Sequence, residues 1–502
     1  MSGLKKLAQE TVIYGLSSIV GKFLNWCLVP LYSYVLTSSG EYGVVTEIYA
    51  WTALVIIILT YGMETGFFRF AGADKAEEER TNRVYSTTLT SLAVTSTVFA
   101  VAVCVLQVPI AGAMGYGAHP EWIAMMGVTV ALDAFDSIPF SYLRYKNRAV
   151  TFALLKLLNI FVNIAMNIFF LVVCPRIYAE NPEWVAWFYE PGYGVGYVFV
   201  SNLISSGIVT LALLPHVFVG RWAFDMQLLR RMLRYSLPLL LFGIAGIMDQ
   251  TVDKMIFRRL YTEPDAMEEL GVYGACFKVA MVMMMFTYAF KFAYEPFVFA
   301  KHGSADCKES YADAMKYYVI TALGIFLGMV FYMDVLQYVV APEYRKGLAI
   351  IPVVLITYLF QGVLYNLSLW YKLTDRTRYG AYISALGLVI TVGLNVAFVP
   401  KYSYWACVYA SLVCYAVMTA VSYFLGQKYY PVNYPLKEIG VYVLLTAALW
   451  AAGSAVDFGA MWANLIYRTA LLGVFAVYLV KKDLPLSEIP VLKKFFKKGG
   501  KA

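Results

Sequence analysis

Lys22, Glu47, Glu64, Asp133, Asp136, Lys156, Asp249, Asp253, Lys254, Lys278, Lys291, Glu295, Asp334 and Arg468 all fall inside long apolar stretches. A charge at mid-membrane costs about 2.5–3.5 kcal/mol on insertion scales, so each of these needs a partner or a function. Some have a simple structural account. Lys291 and Glu295 are four residues apart and can pair on one helix. Asp136, Lys254 and Asp334 lie where a span approaches an interface. Lys156, Asn159, Asn163 and Asn167 share one helical face and must point at another helix or at a cavity. Lys22, Glu47, Asp249 and Lys278 have no opposite charge three or four residues away. With Glu64 and Asp253 they form the candidate binding set. A lysine in such a place offers an adaptable point charge to an anionic group. The carboxylates suit coupling to H+ or Na+, with coupling by the membrane potential as the open alternative.

The elements that must hold these side chains are transmembrane helices. The chain has 502 residues, of which 61% are hydrophobic and 14% charged, with a mean hydropathy of +0.64. About fourteen apolar stretches, each long enough to cross a ~30 Å hydrocarbon core, follow one another with short polar connectors. They are expected near 11–36, 42–68, 84–109, 121–143, 150–173, 193–218, 228–256, 269–299, 312–339, 346–370, 379–399, 403–425, 436–455 and 460–481. Runs such as Leu54 to Leu59 lack the alternation of a membrane β-strand. Pro30, Pro238, Pro296 and Pro352 interrupt helical stretches and favour kinks.

The net charge of +8 does not indicate nucleic acid, because the basic residues follow the connectors. With the N-terminus inside, 28 of the 40 lysines and arginines fall on inner segments and 6 on outer ones. That split predicts a multi-pass protein with both termini cytoplasmic. The basic tail, Leu484 to Lys498, is expected to rest on the anionic inner leaflet.

Two parts of the chain match at an offset near 228. Glu41-Tyr42-Gly43-Val44 recurs as Glu269-Leu270-Gly271-Val272, and Thr60-Tyr61 as Thr287-Tyr288. Asn167 to Pro175 at the end of the fifth span resembles Asn395 to Pro400 at the end of the eleventh. A six-helix repeat is even, so both copies run in the same direction and can enclose a cavity between them. The expected division is a first six-helix lobe over 1–225, a second over 226–430, and two additional helices with the basic tail over 431–502.

The opening Leu7-Ala8-Gln9-Glu10-Thr11-Val12-Ile13-Tyr14-Gly15-Leu16, then Val29-Pro30-Leu31-Tyr32, Glu41-Tyr42-Gly43-Val44, Tyr61-Gly62-Met63-Glu64-Thr65 and Phe67-Phe68-Arg69-Phe70, carry a resemblance. The chain resembles the polysaccharide repeat-unit flippases, of the O-antigen and capsule type, in the multidrug/oligosaccharidyl-lipid/polysaccharide exporter superfamily. The resemblance implies a V-shaped two-lobe fold whose first, second, seventh and eighth spans line a central cavity. It also implies export of undecaprenyl-pyrophosphate-linked oligosaccharide across a bacterial inner membrane, with membrane lipids and other polysaccharide assembly proteins as partners. Related lipid II flippases use basic residues on their first, second and eighth helices. Lys22 and Lys278 match two of these, whereas the second span offers Glu47.

Other functions fit less well. A membrane-embedded polymerase or glycosyltransferase needs a sizeable outer loop for its acids and bases, and none is present. His119, His216 and His302 are far apart, and the seven cysteines have neither zinc nor disulfide spacing, so no metal or organic cofactor is expected. A small-molecule cation-coupled antiporter or a lipid II flippase of the same superfamily remains the alternative.

Overall fold

The computed structural model describes residues 19–71, 78–218, 222–301, 307–374 and 376–483. The Leu7–Leu16 motif, the start of the first span and the basic tail lie outside these residues, as does the side chain of Glu295. The described chain is an all-helical membrane bundle. Its helices are α1 (19–26, continuing as Leu28–Val35), α2 (Ser39–Ala71), α3 (Glu78–Met114), α4 (Pro120–Tyr145), α5 (Ala149–Glu180), α6 (Gly196–Val217) and α7 (Met226–Leu260). There follow α8 (Ala266–Val279 with Met281–Lys301), α9 (Cys307–Phe331), α10 (Pro342–Leu373), α11 (Arg378–Tyr402), α12 (Tyr404–Tyr429), α13 (Leu436–Ala455) and α14 (Met461–Lys482). Twelve of them are long and apolar enough to cross a membrane unaided, and the bent α8 pair raises this to 13. The fourteenth expected span, the first, is only partly described.

Local chemistry explains the helix ends. The Ser38 hydroxyl accepts from the Glu41 amide at 3.4 Å to cap α2, and Asp225 accepts from the Gln227 and Leu228 amides at 2.9 Å to cap α7. Pro30 follows the turn at Cys27 within α1, and Pro352 opens the α-helical part of α10 after the 3-10 stretch Pro342–Ile350, but the breaks of α2 and α8 do not coincide with prolines. Pro238 sits within the continuous α7. The ladder of α2 breaks at Tyr61 and Gly62, whose φ values of 33° and 71° put both in the left-handed region. Glycine relieves the second of these, and the break re-aims the segment Met63–Ala71. The two segments of α8 meet at 44° across Ala280.

The first six helices pack mainly as α3 on α4 and as α6 on both α4 and α5. In the second set α12 packs on α10 and α11, and α9 on α10. The first turns of α7 join the earlier helices, with Leu228, Leu229 and Met232 in one cluster with Met63, Phe67, Tyr85 and Leu89. Lower down, α7 packs on α11. The last two helices are tied by ion pairs to α9 and to the short helical turn Met333–Leu336 that follows it. Lys316 pairs with Glu438 at the start of α13 and with Asp483 after α14, and Asp334 pairs with Arg468 of α14 at 2.6 Å.

The repeated glycine motif has a structural counterpart. Helices α2 and α8 cross where Gly43 meets Gly271. A Cβ on Gly43 would lie 2.1 Å from the Met267 carbonyl oxygen, and one on Gly271 1.8 Å from the Ser39 carbonyl oxygen. Met267 and Ser39 are themselves 228 apart, as are the two glycines, so the contact is reciprocal in the manner of a two-fold interface. One step along, Gly274 leaves room for Thr46, again at the same offset. Nearby, Tyr42 meets Tyr344 edge-on at 5.7 Å, and the Ala341 amide donates to the Ser33 hydroxyl at 3.3 Å. These contacts shut one end of the bundle between the two sets of helices. Asn167 and Asn395, also 228 apart, both donate to the carbonyl four residues earlier, at 2.8 and 2.7 Å.

Candidate functional site

A cavity of about 770 Å³ opens between α1, α2, α4, α5, α6 and α7. Its charged lining is Lys22 from α1, Glu64 from α2, Asp133, Asp136 and Arg144 from α4, and Lys156 from α5. Helical spacing explains the set. Asp133, Asp136, Phe140 and Arg144 recur every three or four residues on one face of α4, as Lys156, Asn159 and Ile160 do on α5. Glu64 arrives there because α2 is interrupted at Tyr61 and Gly62. Glu64 lies 21 residues beyond Gly43, about 30 Å along a helix, so the cavity sits away from the closed end.

The charges balance in number but are not paired off. Ser206 donates to Asp133 at 2.8 Å, and Thr210 donates to Asp136 at 2.8 Å. The second carboxylate oxygen of Asp136 is buried without a partner among the described residues. The Lys156 ammonium lies 4.0 Å from the centre of the Phe140 ring, and that of Lys22 lies 4.5 Å from the centre of Tyr288 on α8. Among the described residues no ion pair within 4.0 Å joins these cations to these carboxylates. Aromatic faces hold the ammonium groups loosely. Lys22, Arg144 and Lys156 thus remain able to take an anionic group, and the carboxylates offset their charge when none is there.

The other four sequence candidates lie outside this lining. The ammonium of Lys278 rests 5.1 and 5.7 Å from the ring centres of Tyr42 and Tyr49, between α8 and α2. Glu47 is 5% exposed and accepts from the Tyr116 hydroxyl at 2.6 Å. Arg258 stacks on that same Tyr116 ring and donates to the Met114 carbonyl, linking α7 to the end of α3. Asp249 accepts from Thr391 at 3.2 Å and from the Cys414 thiol at 3.1 Å, inside the packing of α7, α11 and α12. Asp253 accepts from the Tyr273 hydroxyl at 2.6 Å and pairs with Lys254 at 2.9 Å. Lys254 is therefore a partner in a buried pair. Lys22 and Lys278 each meet an aromatic ring across the seam between the two sets of helices.

Arg144, Asp133, Asp136 and Lys156 are the lining residues that the candidate set omitted. The polar face of α5 divides. Lys156 and Asn159 face the cavity, while Asn163 donates to Ser205 at 3.4 Å and Asn167 turns back on its own helix. The repeat itself carried a signal for three of these residues, though not for Arg144, which aligns with Lys372. At the offset of 228, Asp133, Asp136 and Lys156 align with Gln361, Leu364 and Ser384. A symmetric fold has no structural need for charge in only one copy.

Comparison with known proteins agrees with this architecture. The family model described as "Polysaccharide biosynthesis protein" matches residues 7–293. No curated protein matches the sequence. Among solved structures, the fold is similar to a lipid II flippase, MurJ, in an inward closed conformation. The TM-score is 0.71 at 11% identity, covering 94% of this chain and 99% of that one. It is also similar to a multidrug resistance MATE family transporter of the MOP superfamily in an inward-facing conformation, with a TM-score of 0.64 at 13% identity over 86% and 95% of the two chains. An outward-facing structure of such a transporter gives 0.59 at 12% identity over 88% and 96%. These neighbours are transporters and flippases, not enzymes.

Proposed function

From the premise that the chain belongs to the polysaccharide biosynthesis protein family, we propose that it flips undecaprenyl-pyrophosphate-linked oligosaccharide repeat units, of the O-antigen or capsule type, across a bacterial inner membrane by alternating access. The observation that carries this reading is the charged cavity, in which Lys22, Arg144 and Lys156 close no ion pair with its carboxylates among the described residues. A pyrophosphate must leave water to cross, and three cations on different helices offset part of that cost. Ammonium contacts are adaptable and let the head group go again. Glu64, Asp133 and Asp136 offset the charge of the cations across the cavity and suit coupling to H+ or Na+. Lys278 and Glu47, at the seam, act on the change between states, as do Asp249 and Asp253 inside the second lobe. The distribution of basic residues puts the crossing of α2 and α8 on the outer side, so the conformation is closed outward and its cavity lies toward the cytoplasm.

Deleting the gene is expected to leave lipid-linked oligosaccharide on the inner leaflet and to deplete the surface glycan. Export of single unpolymerised units by the deleted strain would instead identify a polymerase. Similarity to the lipid II flippase favours a second reading, with lipid II as cargo. Loss of peptidoglycan synthesis with intact surface glycan would select it.

The orientation has its own test. Cysteines introduced near Ser38, Gly117 and Asn181 should react with an impermeant thiol reagent applied outside, and one near Asn147 should not. Reversed labelling at two of these sites would refute the assignment of both termini to the cytoplasm.

A further inference from the structure

We infer that the groove between α2, α3 and α4 is a binding site for a membrane phospholipid with an anionic head group, and that Arg259 of α7 reads the head group. The groove has a volume of about 550 Å³. Phe99, Val103, Leu106 and Ile110 form its α3 wall, a spacing of three and four residues that keeps them on one helical face. Leu106 is 50% exposed, so the groove opens sideways to the hydrocarbon. Its wall is apolar apart from Thr52, and Arg259 is the single charged lining residue among those described.

Three observations make Arg259 more than an ordinary rim charge. It is one of only 6 basic residues on outer segments, against the distribution that orients the rest of the chain. Its neighbour Arg258 is engaged by Tyr116 and the Met114 carbonyl, whereas no hydrogen bond or ion pair occupies Arg259 among the described residues. Glu47, a carboxylate on which Arg259 acts electrostatically, is buried and already accepts from Tyr116. An unpaired guanidinium beside an apolar, lipid-facing groove matches an acyl chain carrying a phosphate, which it can grip with two parallel hydrogen bonds. The site joins α3 of one set of helices to α7 of the other. A bound phospholipid would therefore sit on the seam that has to move.

The test uses the full-length protein in nanodiscs containing a photoreactive phosphatidylglycerol or a photoreactive phosphatidylcholine with the same chains. Phosphatidylglycerol is expected to label the α3 segment 99–114 about fivefold more than phosphatidylcholine, the worth of one arginine near a charged membrane surface. Arg259→Gln should remove the preference and Arg259→Lys should keep most of it. Leu106→Trp, which fills the groove, should lower labelling by both lipids. Equal labelling by the two lipids in the wild type, or an unchanged preference in Arg259→Gln, would overturn the proposal. So would displacement of phosphatidylglycerol by equimolar undecaprenyl phosphate, which would assign the groove to the cargo's own lipid.

Discussion

Lys156→Ala is expected to lower surface-glycan complementation roughly ten- to hundredfold while protein still reaches the membrane. The range follows from about 1.5–3 kcal/mol for a hydrogen bond to a charged group. Lys156 lines the cavity with Asp133, Asp136 and Glu64 without closing an ion pair among the described residues, so its charge is available, and on the proposed function its loss would leave three carboxylates facing the phosphates of the cargo. Lys22→Ala should behave alike, since Lys22 lines the same cavity. Arginine at either position should restore part of the activity, because charge matters more than shape, and glutamate should be worse than alanine. Lys278→Ala separates two roles. Its ammonium rests on Tyr42 and Tyr49 and not in the cavity lining. It is expected to impair turnover while leaving binding of the lipid-linked cargo to the purified protein within twofold of wild type. Full complementation by a Lys22→Ala, Lys156→Ala double variant, with membrane abundance as the control, would show that these charges do not carry the head group.

The second large effect is steric. Gly271→Ala and Gly43→Ala each place a methyl group about 2 Å from a backbone oxygen of the facing helix. Neither oxygen can rotate away, because each belongs to a helical backbone, so α2 and α8 must separate. The closed end should no longer close, and transport should fall by more than tenfold. Spin labels at the outer ends of α2 and α8 should report a longer distance in either variant than in the wild type. An unchanged distance together with unchanged transport would show that the crossing is not the closing contact. The reciprocal contact also predicts that the two substitutions have similar effects, which two unrelated helix contacts would not require.

Much of this was legible in the sequence. Each span is a local property of 20 or more apolar residues, so the helical class and the order of the elements needed no tertiary information. The repeat was legible too, because Glu41-Tyr42-Gly43-Val44 and Glu269-Leu270-Gly271-Val272 keep their offset. Only the fold disclosed that these motifs meet face to face and shut one end. The fate of the intramembrane charges was not legible. Glu47 and Asp249 looked unpaired because their partners Tyr116 and Thr391 are distant in sequence and uncharged. Asp133, Asp136, Arg144 and Lys156 became one site only when two helices, α4 and α5, turned these faces to the same cavity. Which face a membrane helix turns inward is set by packing against all its neighbours at once, and a single helix does not encode it.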